Sequence, residues 1–429
     1  MKERLAIIEG IRSPFCKAGT AFKGMQADQL GAIVVRELMA RSVLNYNDID
    51  EVIMGNVAQP GHAANIARVI ALQGGFPSTT IAYTVNRNCA SGMEAMTTAA
   101  NKIFAGEIEI AVVGGAESMS NIPLLLSAQM SDFFTRLMMA KSLPDKLKAL
   151  LTFRAHFLKP VIGIELGLTD PVCGLNMGQT AEVLCREFAI TRQEQDEFAL
   201  LSHQRAAQAQ SDGRLSDEIV PVPCAPDYKH IQHLDNGPRG DQSSVALSKL
   251  RPYFDRDAGS VTVGNACPIT DGAVAFTVMA ESTAKQRGLK PLGYLRDYSY
   301  AGLDGARMGL GPVYSTACLL DKTGLTLDDF DLIELNEAFA VQVIANERAF
   351  ASDQFAKQYL HRDKAIGVID RAKLNVNGGA IALGHPVGAT GGRLILTLLH
   401  ELRRRGGQRG LATLCIGGGQ GASLALEVE

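Results

Sequence analysis

Short apolar runs closed by glycine or led by an acidic turn alternate with segments where small and apolar residues recur at helical spacing. "IEIAVVGGAES" (108–118) reads as a central strand running into glycines. "GLATLCIGGGQGASLALEVE" (410–429) reads as a similar strand followed by a last one. Upstream of each stands an acidic turn that leads into another strand, "DIDEVIMGN" (48–56) and "DFDLIELNEAFA" (329–340). Between turn and glycine strand, each half carries a helix rich in small residues. The first opens at Cys89 in "VNRNCASGMEAMTTAANKI" (85–103), with Asn88 as its cap. The second follows "GHPVGATGGRLILTLLHEL" (384–402). The repeated order predicts a tandem duplication of one α/β unit with largely buried strands. The competing reading is two α/β segments that merely look alike.

Residues 122–249 have a different texture. "FFTRLMMAKSLPDKLKALLTFRAHFLKP" (133–160) mixes apolar residues with Arg136, Lys141, Lys146, Lys148, Arg154 and Lys159. A helical segment and the polar loop "DYKHIQHLDNGPRGDQSS" follow. The pattern predicts a first α/β half over 1–121 completed by about 250–285, an inserted loop domain over 122–249, and a second half over 286–429. The 429 residues carry 42 basic and 45 acidic side chains, a net charge of −3, which argues against a nucleic-acid binder. Eight scattered cysteines form neither a compact disulfide framework nor a zinc-ligand spacing, so no metal is expected. The opening "MKERLAIIEGIRSPF" is charged at once and then strand-like, unlike a signal peptide or a membrane span, and a cytoplasmic location is the expectation.

Three positions stand out as chemistry. A thiol at Cys89, in the first turn of a helix, would meet unpaired backbone N–H groups and the positive end of the helix dipole, both of which favour thiolate. Core packing is the competing reading, since free cysteine is usually a small buried hydrophobe. His385 is fenced by Gly384 and Pro386 at a strand-to-helix turn, where glycine permits close approach. Its competing reading is a satisfied structural histidine. Cys415 ends a strand ahead of Gly417, Gly418 and Gly419, a turn whose N–H groups can line an oxyanion hole. A dinucleotide site needs a helix and a downstream acid after its glycines, and only "ASLALEVE" follows Gly421. No GK[ST] follows any glycine run, so a phosphate loop is excluded as well.

"NCASGMEAM", "NEAFA", "GGAIALGHPVGATGGR" and "CIGGGQG", in this order, resemble the thiolase family of acyl-CoA acyltransferases. "GIRSPF" (10–15) and "LRPYFDRDAGSVTVGNACPITDGA" (250–273) fit the same pattern, so the resemblance spans nearly the whole chain. It implies a five-layer α/β/α/β/α fold built from two βαβαβαββ halves, with a loop domain inserted in the first. It also implies cleavage of a 3-ketoacyl-CoA by CoA, to acetyl-CoA and a shortened acyl-CoA, in fatty-acid β-oxidation. By that resemblance Cys89 is the acylated nucleophile, His385 takes its proton, and Cys415 is the second acid/base. Asn336 in "NEAFA" holds a water that stabilises the first oxyanion together with His385. The backbone N–H groups of Cys89 and Gly417 stabilise the second. Coenzyme A is a substrate and no cofactor is implied. The third member being Cys415 rather than histidine separates this pattern from the related ketoacyl synthases.

The basic insertion resembles the β-subunit branch of the trifunctional fatty-acid complex. That likeness implies a hydratase/dehydrogenase α-subunit as partner and peripheral membrane contact through 133–160. A solvated cover or an oligomer contact is the competing reading of that stretch. The branch usually has histidine where this chain has Asn336, so acyl length stays open. An acetoacetyl-CoA thiolase working synthetically and a non-catalytic acyl-CoA carrier are the alternatives. The family forms homodimers or homotetramers. By motif position Arg239 approaches the adenine and phosphate end of CoA, while Met177 and Phe339 line the pantetheine and acyl path. Cys267 replaces a serine that bonds the pantetheine amide, and a thiol is the weaker partner. Ordinary packing competes for Met177 and Phe339, and a solvated loop charge for Arg239.

Overall fold

The computed structural model describes residues 3–429. In the first half β1 (Leu5–Arg12), α1 (Ala27–Arg41), β2 (Glu51–Gly55), α2 (Ile66–Gly74), β3 (Ile81–Val85), α3 (Ser91–Phe104) and β4 (Ile110–Ser118) follow in order. Helices α4 (Met177–Glu187) and α5 (Arg192–Ser211) precede β5 (Thr270–Ala280). The second half repeats the plan with β6 (Gly293–Gly302), α6 (Gly311–Thr323), β7 (Leu332–Leu335), α7 (Ala340–Phe350), α8 (Val387–Arg405), β8 (Arg409–Ile416) and β9 (Gln420–Glu427).

Strand pairing shows the duplication directly. β2 runs parallel to β4, β4 antiparallel to β5, and β5 antiparallel to β1. In the second half β7 runs parallel to β8, β8 antiparallel to β9, and β9 antiparallel to β6. β3 adds to the outer edge of β2, and a single parallel bridge from Ile333 to Leu374 occupies the matching place beside β7. The half-sheets join where Leu5–Ile7 pair with Gly293–Leu295, giving the order β7-β8-β9-β6-β1-β5-β4-β2-β3.

The period of two along each strand sorts side chains into three cores. Val112 and Ala116 of β4 pack outward with Leu30, Val34 and Leu38 of α1. Ala111 and Val113 face inward to Met93 and Met96 of α3 and Leu394, Leu398 and Leu402 of α8, which form the middle layer. Leu411 and Ala425 face the outer helices of the second half, with Val313 and Leu319 of α6 and Val341 and Ile344 of α7. The two joined half-sheets and three helical layers make the expected α/β/α/β/α stack.

Two expectations need correction. The catalytic-motif helix begins at Ser91 with Ala90 at its N-cap, not at Cys89 under Asn88. Ser91 Oγ accepts from the Arg87 N–H at 2.9 Å and donates to the Asn88 carbonyl at 2.7 Å, so the hydroxyl closes the turn. Asn88, at φ +45°, instead sends its side chain to the Gly417 carbonyl. The separate unit is also shorter than 122–249. Ile122–Thr169 forms a compact unit of its own, with helices Ala128–Met139 and Leu143–Leu151, whereas Asp170 onward belongs to the main body. The reason is apolar: Leu184 of α4 and Phe198 and Ala199 of α5 are buried in the same core as α7.

Candidate active site

The site is assembled where the N-terminal ends of α3 and α8 meet. Their backbones touch: a Cβ on Gly92 would lie 2.9 Å from the Gly392 nitrogen, and one on Gly391 would lie 2.9 Å from the Met93 nitrogen. Only a run of small residues on both helices permits that approach. Cys89 precedes α3 and is half-buried. Burial pushes its thiol pKa up, the N–H groups of Gly417 and of Cys89 itself pull it down, and the Glu117 charge raises it again. The two backbone groups that favour its thiolate are those that the family resemblance assigned to an oxyanion hole.

The Gly417 donor comes from a turn with a fixed shape. Gly418 and Gly419 hold φ of +89° and +77°, and the Gly419 carbonyl accepts from the Leu303 N–H at 2.8 Å. Asn88 Nδ2 donates to the Gly417 carbonyl at 2.8 Å, tying the turn to the segment that carries Cys89. Cys415, at the end of β8, is 2% exposed, and burial pushes its thiol well above the ordinary range. Charge on the nearby Cys89 or Cys267 sulfur would add to that rise, so the three sulfurs share one neighbourhood. Cys267 is pushed up to about 12, by burial first and then by Cys89. All three are thus held as thiols at rest.

His385 is buried on the stretch that enters α8. Its backbone N–H donates to Thr270 Oγ1 of β5 at 3.1 Å, and its Nδ1 lies 2.7 Å from Thr390 Oγ1. The Thr390 hydroxyl donates its own proton to the Pro386 carbonyl at 3.0 Å. Its oxygen must therefore accept from Nδ1–H, and the Nε2 lone pair is left as the basic site. Burial, helped by the Arg393 charge, lowers the imidazole to about 4, so it rests neutral. Thr390 was not singled out in the sequence, although it stands one helical turn beyond His385 in "GHPVGAT".

Asn336 lies beside β8. It is fully buried after β7, and its N–H donates to the Thr413 carbonyl at 3.0 Å. Neither polar atom of its carboxamide has a protein partner, which leaves both to bind a water or a substrate oxygen. Its neighbour Glu337 is fully engaged, accepting from Ser202 Oγ at 2.6 Å, Asn375 Nδ2 at 2.9 Å and the Ile381 N–H at 3.2 Å. That anchors the loop leading into the His385 turn.

The CoA-contact expectations divide. A Cβ on Gly417 would lie 3.3 Å from Met177 Sδ, so Met177 reaches the donor turn. Phe339 is buried edge-on against Phe254, centroids 5.8 Å apart, and the Cys267 N–H donates to the adjoining Ala338 carbonyl at 3.0 Å. Arg239 stands apart from this group. It is exposed, and the groups that feel its charge are Lys17 and His203.

Known proteins match along the whole chain. The family model described as "Thiolase, N-terminal domain" matches residues 5–282, and "Thiolase, C-terminal domain" matches 289–428. A 3-ketoacyl-CoA thiolase of Yersinia pestis (strain Pestoides F) is 45% identical over 428 residues, covering 100% of this chain and 97% of the relative. The solved Bacillus anthracis acetyl-CoA acetyltransferase superposes with a TM-score of 0.87 at 37% identity, over 99% of this chain and 98% of the other. Human mitochondrial 3-ketoacyl-CoA thiolase superposes at 0.86 and 34% identity, over 99% and 98%. The same human enzyme solved in complex with CoA superposes at 0.86 and 33%, over 100% and 98%. Two domain models end to end, and a relative of this identity over the full length, place the chain in the thiolase family.

Proposed function

We propose that this protein is a 3-ketoacyl-CoA thiolase working in the degradative direction. The observation that carries the reading is the convergence of Cys89, the Gly417 N–H and Cys415 beside the turn that holds His385. Cys89 gives its proton to His385 Nε2 and attacks the 3-keto carbon. The resulting oxyanion sits against Asn336, through a bound water, and His385. Cleavage of the C2–C3 bond leaves an acyl thioester on Cys89 and an acetyl-CoA enolate, which takes its carbon-bound proton from Cys415. A second CoA, its thiol deprotonated by Cys415, attacks the thioester. The second oxyanion rests on the N–H groups of Cys89 and Gly417, donors worth about 3–4 kcal/mol each in comparable sites. Collapse expels the Cys89 thiolate, which takes its proton back from His385 as the shortened acyl-CoA leaves.

CoA-dependent cleavage of 3-ketoacyl-CoA esters from about four to sixteen carbons tests this. We expect wild-type turnover and, in Cys89→Ala, a loss of at least about 10⁴-fold. Absence of turnover in folded wild type that still binds CoA sinks the reading and leaves a carrier. The likeness to an acetyl-CoA acetyltransferase, and asparagine at position 336, favour a second reading as an acetoacetyl-CoA enzyme, which turnover confined to four carbons would select.

The 122–169 unit supports a membrane-facing role. Met138 and Leu143 are each 83% exposed, and Leu147 and Leu151 are also exposed, beside Lys141, Lys146 and Lys148. Cosedimentation with anionic but not neutral vesicles is the expected result. Resemblance to the trifunctional branch supports a hydratase/dehydrogenase partner, and that of the family supports a dimer or tetramer. Purification at native concentration reads both.

A further inference from the structure

A buried carboxylate in the first half ties a turn of that half to the stretch that carries the base. Glu117, in β4, is fully buried and makes four hydrogen bonds. Oε1 accepts from Asn56 Nδ2 at 3.0 Å and from the Ala58 N–H at 3.1 Å. Oε2 accepts from the Val57 N–H and from the Gly388 N–H, each at 3.0 Å. Val57 and Ala58 belong to the turn after β2, and Gly388 lies in the first turn of α8, three residues beyond His385. The carboxylate therefore bridges two separate backbones and sits at the positive end of a 19-residue helix. Thr270 Oγ1 holds the His385 N–H from the same half. The stretch Gly384–Gly388 is thus pinned at two points to strands of the first half, on which the Cys89 turn is also built.

We infer that Glu117 is a positioning residue that clamps the His385 end of α8 to the first half, keeping the base in register with Cys89. The inference rests on the thiolase reading above. Asn56 Nδ2 also donates to the Ala116 carbonyl at 2.8 Å, so the clamp is braced on both sides. The bridge spans a fixed gap, and a shorter acid loses it. Burial raises Glu117 to about 7, against the pull of the three N–H groups and Asn56. Its charge in turn disfavours the Cys89 thiolate. A carboxylate here therefore keeps Cys89 protonated until His385 takes its proton.

The test compares the full-length wild type with Glu117→Gln and Glu117→Asp. Each is assayed for thiolysis kcat and KM and for the pH midpoint of Cys89 alkylation by iodoacetamide, per folded molecule. Gln keeps the length and removes the charge; Asp keeps the charge and shortens the reach. Both are expected to lose about 100-fold in kcat with KM nearly unchanged, the size of effect that misplacing a catalytic group produces. The alkylation midpoint is expected to fall in Gln and to stay in Asp. Wild-type kcat per folded molecule in either variant overturns the inference, as does an unmoved midpoint in Gln. Wild-type turnover is read in the same assay, so failure of the thiolase reading shows there, while variants that match an active wild type count against Glu117 alone.

Discussion

The two halves end their central strands in similar apolar-then-glycine runs, and use those glycines for opposite purposes. In β4 the strand continues through them: a Cβ on Gly114 would fall 2.0 Å from the Val274 carbonyl, and one on Gly115 would fall 1.9 Å from the Gly388 carbonyl. These glycines exist so that β5 and the start of α8 can lie directly on the strand. In β8 the strand stops at Ile416, and the glycines bend into a turn that offers the Gly417 N–H to Cys89. One copy became the floor beneath the base, the other a rim of donors. Duplication thus provides equivalent places, and catalysis needs them to differ.

That contrast has its largest consequence at Gly115. Gly115→Ala sets a methyl against backbone that cannot move aside, and we expect a loss of at least about 3 kcal/mol, read as insoluble protein or a sharply lowered midpoint in urea. Gly417→Ala meets only the flexible end of Met177, at 3.3 Å, and keeps both its N–H and an ordinary φ. The expected outcome is wild-type stability. Equal stability of the two variants would break the comparison.

Next in size is Thr390→Val. The substitution keeps shape and removes the oxygen that accepts from Nδ1–H, leaving a buried donor unpaired at a cost of about 1–3 kcal/mol. We expect kcat to fall roughly 10- to 100-fold with KM retained. The pH profile carries the sign. A base with its pKa near 4 is neutral, hence competent, at all pH above about 5, so the wild-type acid limb of kcat/KM lies well below the ordinary histidine value of 6.5. Thr390 accepts a bond that is stronger from the imidazolium, so its loss moves that limb lower still. An acid limb at 6.5 in wild type would mean that His385 is not desolvated as described.

Much of this architecture was legible in advance because its signals are local. Cys89, His385 and Cys415 each put a reactive side chain at a turn marked by glycine or asparagine, and the acidic turn before β2 recurs before β7. The parts that were not legible are relations across the fold. Glu117 looks like the polar end of a strand until Gly388 is seen to lie on it, 271 positions away. Asn88 was read as a cap, the commonest use of asparagine before a helix, but Ser91 had closed that turn and the carboxamide crosses 329 positions to Gly417. The boundary of the inserted unit was misplaced for a related reason: α4 and α5 carry polar surfaces in sequence, and only packing shows their apolar sides joining the core around α7.

The smallest effect concerns the place where the halves share a surface. Cys267 enters from the first half, just before β5, and faces Cys415 from the second. With its pKa pushed up to about 12 it stays an S–H at any working pH, a weak donor to a pantetheine amide. Cys267→Ser keeps the size and the Ala338 backbone bond, and replaces the weak donor by a hydroxyl. If that donor meets CoA, the substitution strengthens one hydrogen bond by about 0.5–1 kcal/mol, lowering KM for CoA roughly 2- to 5-fold with kcat little changed. Because Cys267 stays uncharged it puts no charge beside Cys415 at working pH, so the Cys415 alkylation midpoint should hold. A lowered KM with an unmoved midpoint would set Cys267 against the CoA amide, whereas a moved midpoint would mean that Cys267 carries charge in the working range.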